Sequence, residues 1–477
     1  MLHLPKDRPG ELLELLSRRR FLELAGVGLT GFLWGCSNRT NIEGSTSFPV
    51  LAFSDLHFNP LYDTSPELLA RLVASNAGEW KSIFEGSKIT ALSAPGADTN
   101  YPLFKLALES IKKNRGTSPL ILYTGDLLGH DISYYLNLYT GITDPATLQG
   151  FSDKTLSFVT QEIRAAAGEA PVLFAVGNCD SYTGYGPDSA FLANNAQAYS
   201  LNLLKGAADE QNFLASFQTG GYYTAEPAGL NVMVIALNTI AFSPSVQNKD
   251  GSENNADAVD AQLAWFDTQL AAAETTGKEV WLLMHAPPGA DECTTAKDVN
   301  PQGHLASSTM MWEPNYQAKF LETVGKHEGA IALTFAGHTH MDEYRIMSAG
   351  NVVEIIPGVS PCFGNDPAYR VFDIEEGTLA PTDYRAFHCD LANTAPAFDS
   401  YYQYSKAYPV NGTLGQSLEA LQPQLASSAA LQKRYRGYYY SGNNAASPIT
   451  DVNWPVYWAG IDEMWAQDLA NAVNSYS

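Results

Sequence analysis

Histidines and carboxylates in this 477-residue chain fall in short groups, and the groups follow apolar runs. The run Ile331–Phe335 leads into Gly337-His338-Thr339-His340. In an extended segment, residues i and i+2 point to the same side, so both imidazoles can face one point. Gly337 lets the backbone approach closely there. Two imidazoles at such a place suit a divalent transition metal; the plainer reading is two surface histidines on a loop. The spacing recurs in Asp55-Leu56-His57, after the run Val50–Phe53. Gly125-Asp126, with His130 and Asp131 close behind, follows Leu120–Tyr123. Gly177-Asn178-Cys179-Asp180 follows Val172–Val176, and His285-Ala286-Pro287-Pro288 follows Val280–Met284. Sites in open α/β sheets form at the carboxyl ends of strands. Five strand ends each delivering a carboxylate, an amide or an imidazole make coincidence a poor explanation.

Asp55, His57, Asp126, Asn178, His285, His338 and His340 supply two carboxylates, one amide oxygen and four imidazoles. That is too many donors for one ion with an open position. It suits two ions sharing a bridging carboxylate. Two ions about 3.5–4 Å apart can hold a hydroxide between them and clamp a phosphoryl group for in-line attack. Mixed nitrogen and oxygen donors favour Zn, Fe or Mn over Ca or Mg.

Positioning these residues requires strands that alternate with helices. Short apolar runs predict strands at the positions above and at Val232–Leu237 and Val352–Ile356. Amphipathic stretches predict helices at Pro66–Glu85, Leu103–Lys113, Thr155–Ala167, Asp260–Glu274 and Tyr316–His327. The alternation implies an α/β core with sheets covered by helices. The core runs from residue 48 to 390. Residues 391–477 show no strand signal and predict a helical appendage with helices at Gln416–Gln422, Ala429–Arg436 and Gly460–Val473. Pro423 should stop the first of these and Gly437 the second.

Composition narrows the function. A net charge of −23 argues against nucleic acid as a partner, because phosphate backbones call for Lys and Arg. Residues 1–36 read as an export signal: Ser17-Arg18-Arg19-Arg20-Phe21-Leu22 resembles a twin-arginine motif, and the apolar stretch after it is too short to span a bilayer. Leu33-Trp34-Gly35-Cys36 resembles a lipoprotein processing site, with Cys36 as the acylated residue. The alternative is an amphipathic N-terminal helix of the folded protein. Residues 37–47 then form a tether, and the expected location is periplasmic or cell-surface, with a lipid anchor through Cys36. Export permits oxidation, and Cys362 with Cys389 is the first disulfide to expect.

The ordered set Asp55-x-His57, Gly125-Asp126, Gly177-Asn178, His285 and Gly337-His338-x-His340 resembles the calcineurin-like metallophosphoesterases. Gly125-Asp126-x-x-x-His130-Asp131, His285-Ala286-Pro287-Pro288-Gly289, Met341-Asp342-Glu343, Asn365–Val371 and Trp454–Ile461 resemble the acid sphingomyelinase-like branch. The resemblance covers nearly all of the chain after the signal. It implies a sandwich of two mixed β-sheets flanked by helices. It also implies two divalent transition-metal ions, Zn first, with Fe or Mn as alternatives. Asp55, His57, Asp126 and His340 would hold one ion, and Asp126, Asn178, His285 and His338 the other. A metal-bridging hydroxide would attack phosphorus, and His130 would protonate the leaving oxygen or, alternatively, orient a ligand.

The resembling proteins have histidine directly after the asparagine; this chain has Cys179. A thiol is a weak donor and carries no positive charge. Acid catalysis would then rest on His130, with Cys179 filling space beside the metals. The expected function is an exported phosphodiester hydrolase acting on a small-molecule or lipid phosphoester. The alternatives are a nucleotide or polyphosphate hydrolase, or a phosphoryl-ligand binding protein without turnover.

Overall fold

The computed structural model describes residues 46–247, 256–348, 350–443 and 448–476. The export signal, Cys36 and nearly all of the expected tether lie outside the described residues; Ser47 already belongs to the first strand. Two six-stranded sheets form the centre. The first sheet contains β1 (Ser47–Phe53), β2 (Ile121–Tyr123), β3 (Val172–Phe174), β10 (Ala368–Glu375), β11 (Pro381–Cys389) and β12 (Phe398–Gln403), in the order β12-β11-β10-β1-β2-β3. The second contains β4 (Tyr223–Ala225), β5 (Val232–Ala236), β6 (Glu279–Leu283), β7 (Ile331–Ala336), β8 (Glu343–Ser348) and β9 (Asn351–Ile355), in the order β4-β5-β6-β7-β9-β8.

Both sheets are mixed. β1, β2 and β3 run parallel, as do β5, β6, β7 and β9, while antiparallel strands complete the edges. Parallel neighbours need long crossovers; those joining β1 to β2, β2 to β3, β5 to β6 and β6 to β7 are helical, while β7 reaches β9 through β8. Tyr101–Asn114 lies between β1 and β2, Pro145–Ala167 between β2 and β3, Ala256–Thr276 between β5 and β6, and Pro314–Lys326 between β6 and β7. The sheets meet through apolar side chains, with Phe335 of β7 and Phe372 of β10 in ring contact at 4.8 Å. The outer face of the second sheet packs on helices whose Phe266 and Phe320 stack at 5.6 Å. Strands buried on both faces read as unbroken apolar runs, which is why these elements are legible in the sequence.

Four expectations change; one is the helix expected over Gly460–Val473, which is instead two helices, Trp454–Ala459 and Ala466–Ser475. The single helix over Pro66–Glu85 is broken into Pro66–Ala74 and Trp80–Glu85 by a 3-10 turn. Asn76 caps that turn, and its N–H donates to Glu79 at 3.1 Å. Residues 391–477 do contain a strand: β12 pairs antiparallel with β11. It is an edge strand whose exposed polar residues, Asp399 and Ser400, are adjacent and break the two-residue alternation. Neither Pro423 nor Gly437 ends its helix: the helices run Leu414–Leu425 and Ala429–Tyr439. Pro423 sits in the last turn, where one lost hydrogen bond costs little. Burial of Tyr435 and Tyr439 carries the second helix past Gly437. The C-terminal helices pack against the second sheet. The N–H of Ile346 donates to Ile461 at 2.7 Å, and that of Asp342 to Tyr439 at 2.8 Å.

Candidate metal centre

The loops after β1, β2, β3, β6 and β7 converge, and all seven predicted donors meet there. Asp126 Oδ2 lies 3.3 Å from His57 Nε2 and 3.2 Å from His285 Nε2. On one side, His57 Nε2 and His340 Nε2 are 3.1 Å apart, and Asp55 Oδ1 is 3.4 Å from His340 Nε2. On the other, His285 Nε2 is 3.2 Å from Asn178 Oδ1 and 3.2 Å from His338 Nδ1. The cluster thus divides into Asp55, His57, His340 and Asn178, His285, His338, with Asp126 between the halves.

The tautomers decide what this arrangement can hold. His57 Nδ1 faces the Leu128 carbonyl at 3.2 Å, His340 Nδ1 faces that of Ser360 at 3.1 Å, and His285 Nδ1 faces that of Thr124 at 2.7 Å. A carbonyl only accepts, so each Nδ1 carries the hydrogen and each Nε2 of a neutral ring turns a lone pair inward. Two bare lone pairs at 3.1 Å repel unless a cation stands between them. The donor set therefore fits two divalent ions sharing Asp126.

Charge and burial agree with that fit. Burial lowers His57 and His340 to about 4 and His338 to about 3, so these rings stay neutral over most of the pH range. Burial also pulls at His285, but Asp126 overrides it and raises that ring to about 9. A cation, whether proton or metal, is favoured between His285 and Asp126. Burial raises the Asp55 carboxyl despite the neighbouring His340 and His285.

The backbone is bent to serve the site. Asp55, His57, Asp126, His338 and His340 all have positive φ, between 40° and 73°. Non-glycine residues pay for that conformation, and such residues cluster at functional sites. Two glycines make room behind the ligands. A Cβ on Gly125, whose φ is 111°, would lie 2.5 Å from His285 Nδ1. One on Gly358 would lie 2.5 Å from His340 Nδ1.

The family model for calcineurin-like phosphoesterases matches residues 48–342. This chain belongs to that family. It is a metal-dependent phosphoester hydrolase with the family's two mixed sheets. Among curated proteins it is 24% identical over 448 residues to the sphingomyelin phosphodiesterase B of Dictyostelium discoideum, a match covering 86% of this chain and 62% of that protein's length. It is 23% identical over 427 residues to the human acid sphingomyelinase-like phosphodiesterase 3b, covering 83% of this chain and 84% of that one. It is 24% identical over 423 residues to the mouse cyclic GMP-AMP phosphodiesterase SMPDL3A, again covering 83% and 84%.

In this phosphoesterase the donors are held by neighbours that the sequence did not single out. Asp180 is fully buried and accepts four backbone N–H groups: Leu127 at 2.9 Å, Leu128 at 3.3 Å, Gly177 at 2.9 Å and Asp126 at 3.2 Å. It ties the loops after β2 and β3 together. Burial and the Asp126 charge push its carboxyl up to about 7, while the amide donors work the other way. Asp98 grips His130 twice, at 2.8 Å from Nδ1 and 2.7 Å from the backbone N–H. Burial lowers the His130 ring, but Asp98 outweighs it and the net shift is upward. His130 stacks on His57 with centroids 4.4 Å apart, placing it beside the metal ligands and not among them. Asp98 lies 28 residues before the nearest cluster position, in a stretch without periodic signal, so only folding reveals it.

Cys179 has a structural task. Its N–H donates to Asp126 Oδ1 at 2.7 Å, leaving Oδ2 to face both halves of the site. Its sulfur accepts from Asn178 Nδ2 at 3.3 Å, which turns the amide oxygen toward His285. The expected Cys362–Cys389 disulfide is absent: both cysteines are free. Cys362 lies 3.7 Å from His340 Nδ1, on the loop that wraps the site, while Cys389 is buried at the end of β11. Phe363, 54% exposed, stands edge-on to His340 at 4.7 Å and to His130 at 6.4 Å, forming a wall of the entrance.

Proposed function

We propose that this chain is a binuclear-metal phosphodiesterase whose substrate is a phospholipid-like diester. The observation that carries the binuclear reading is the inward-facing set of seven donors centred on Asp126 Oδ2. When bound, the two ions, Zn first, supply an activated water as nucleophile and neutralise the phosphoryl charge. The residues do the rest. Asp126 sets the spacing of the two halves. Cys179 and Asp180 fix Asp126 and the loop that bears Asn178. His130, oriented by Asp98 and 38% exposed, presents its free ring nitrogen toward the entrance and donates a proton to the departing oxygen.

The substrate reading rests on the space beside Cys179. A cavity of about 230 Å³ lies there, lined by hydroxyls of Ser133, Tyr134, Ser181 and Thr183 and by Asp131. No Lys or Arg lines it. Such a pocket suits a neutral or cationic substituent and disfavours a second phosphate, which weighs against nucleoside polyphosphates. The helix Ile132–Thr140 begins at that pocket, has no charged residue, and exposes Tyr134, Tyr135, Leu138 and Tyr139. Tyrosines with leucine at an outer face suit a lipid headgroup layer. Relatives named for sphingomyelin and for cyclic GMP-AMP bracket the same choice of diester. Export and a lipid anchor through Cys36 remain part of this reading and rest on the N-terminal motifs alone. No described helix is long and apolar enough to cross a membrane.

The test is metal analysis of the purified protein, paired with hydrolysis of bis-(p-nitrophenyl) phosphate and of phospholipid vesicles. Two transition-metal ions per chain and turnover reduced in His130→Ala are expected. Two ions without turnover on any diester would return the choice to a binding protein.

A further inference from the structure

The helix Ile132–Thr140 buries Ile132 and Leu136 and leaves an outer face without charge. A surface helix of a globular protein ordinarily carries charged residues on that face. Here the face is Tyr134, Tyr135, Leu138 and Tyr139, all exposed. Tyr134 and Leu138 are four residues apart, as are Tyr135 and Tyr139, so the side chains form two adjoining rows. Their rings lie together, Tyr134 and Tyr135 at 5.2 Å and Tyr135 and Tyr139 stacked at 5.9 Å. Nine large apolar side chains are exposed among the described residues. Four are on this helix, and a fifth, Phe363, stands 6.4 Å from the His130 ring. The helix itself begins two residues after His130. More than half of these side chains are thus gathered around the proposed proton donor. We propose that this helix and Phe363 form a docking surface for a neutral or zwitterionic lipid layer.

The proposal rests on the lipid-diester reading and adds to it the place of reaction, which is the surface of a lipid aggregate. Three observations select that partner. Tyrosine joins an apolar ring to a polar tip, and such residues are enriched where hydrocarbon meets headgroups. The patch adjoins the entrance, so a layer bound there presents its headgroups to the metal centre without transfer through water. Charge excludes an anionic layer: no Lys or Arg occurs between Arg115 and Lys154, and the net charge is −23. Attraction to anionic lipid is carried by basic residues near the surface. Nine residues rise about 13 Å, far short of a bilayer core of roughly 30 Å, so the helix lies on the layer and does not cross it. Docking should follow the apolar area buried and respond little to salt. Turnover of a short-chain phospholipid should rise steeply once it forms micelles, because docked enzyme meets substrate at the concentration of the layer.

The experiment uses the metal-loaded full chain with Cys36→Ser, so that no acyl group at that position can hold it to lipid. Vesicles of digalactosyldiacylglycerol are neutral and contain no phosphoester, so co-flotation with them reads docking apart from hydrolysis. Leu138 does not line the cavity beside Cys179. Leu138→Glu should weaken docking at least tenfold, and Leu138→Ser by less. Both variants should hydrolyse bis-(p-nitrophenyl) phosphate within about twofold of the parent, which also shows that they fold. Equal docking of parent and Leu138→Glu would overturn the surface. So would binding that requires phosphatidylglycerol and vanishes in salt. Self-association in lipid-free buffer that Leu138→Glu abolishes would assign the face to a second copy of the chain and overturn the proposal. The two readings fail separately. Docking without hydrolysis of phosphatidylcholine would overturn the lipid substrate and leave the surface standing. Hydrolysis of phosphatidylcholine in detergent micelles, without docking to vesicles, would overturn the surface and leave the substrate.

Discussion

The molecule buries two polar clusters about one strand apart, and they handle charge in opposite ways. At the metal centre, acceptors face acceptors: Asp126 Oδ2, Asp55 Oδ1 and the imidazole nitrogens converge with no Lys or Arg among them, and His285 alone is raised, to about 9, by the Asp126 charge. Under the C-terminal helices, arginines sit among the acids. Arg370 bonds Asp342 at 2.5 Å and Glu354 at 2.7 Å, and its guanidinium lies over the Tyr384 ring at 4.5 Å. Arg345 contacts Glu292 and lies 3.3 Å from Glu343. Each of these arginines has two carboxylates, so one acid per pair is surplus. Burial pushes Glu343 up to about 8 and Glu354 to about 7, so protons complete the balance. A cluster that carries its own counter-charges is structural; one that lacks them is waiting for a cation. Both clusters are buried, but one is built of imidazoles, carboxylates and an amide and the other of arginines, acids and tyrosines, and the missing Arg counter-charge separates the candidate functional cluster from scaffolding.

The largest effect expected of this contrast is on turnover. Asp126→Asn removes the oxygen that serves both halves, and should cost on the order of 10³-fold in kcat, the scale of losing a preorganised charge-stabilising group. Arg370→Met should do the reverse. It strands two buried carboxylates and should cost about 3–5 kcal/mol of folding stability. It should leave metal content per folded chain unchanged. Urea denaturation with metal analysis on both variants checks the pair. If Arg370→Met released metal without loss of stability, the two clusters would be one functional unit. A smaller effect tests the support of the site. Asp180→Asn keeps the shape but weakens four amide contacts, and should lower metal affinity about 10–100-fold. Competition with a chromogenic chelator measures it. Arg345 and Arg370 have no metal to lose, so chelation should leave their cluster intact while abolishing turnover.

The site was more legible than its supports, for a physical reason. Metal ligands must come from few residue types and must sit at strand ends, so Asp55, His57, Asp126, Asn178, His285, His338 and His340 announced themselves by type and place. The parallel strands that carry them are buried on both faces and read as apolar runs. Asp98, Asp180 and Phe363 act through distance alone, and their spacing in the chain has no period. The antiparallel strands β8, β10, β11 and β12 interrupt their apolar runs with polar residues, adjacent ones in β11 and β12, which blurs the strand signal and leaves β12 inside the expected helical region. Cys362 shows the limit of reasoning from compartment. An expectation of export favours a disulfide with Cys389, but the fold sends one thiol to the metal centre and the other to the end of β11.

The last prediction sets the two clusters against each other by pH. In the folded chain the Glu343 and Glu354 carboxyls lie at about 8 and about 7, against an ordinary value of 4.5. Between those limits the folded state holds more protons than the unfolded one, so stability falls as pH rises. The contribution is full below about pH 4.5 and gone above about pH 8, opposite in sign to an ion-paired acid. Metal binding runs the other way, because acid protonates imidazoles and expels the ions. In metal-free protein the pair should therefore favour about pH 5.5 over about pH 7.5, while His57, His338 and His340, held low by burial, work against it, so the pair is read from thermal melts at the two pH values as the difference between wild type and a variant of one glutamate. A Glu354→Gln variant should lose part of that slope. The metal-loaded protein should show a shallower or inverted slope, because ion release on acidification opposes the gain. Equal slopes for wild type and Glu354→Gln would mean that Arg370 already neutralises both of its acids, and the surplus charge that distinguishes the two clusters would vanish.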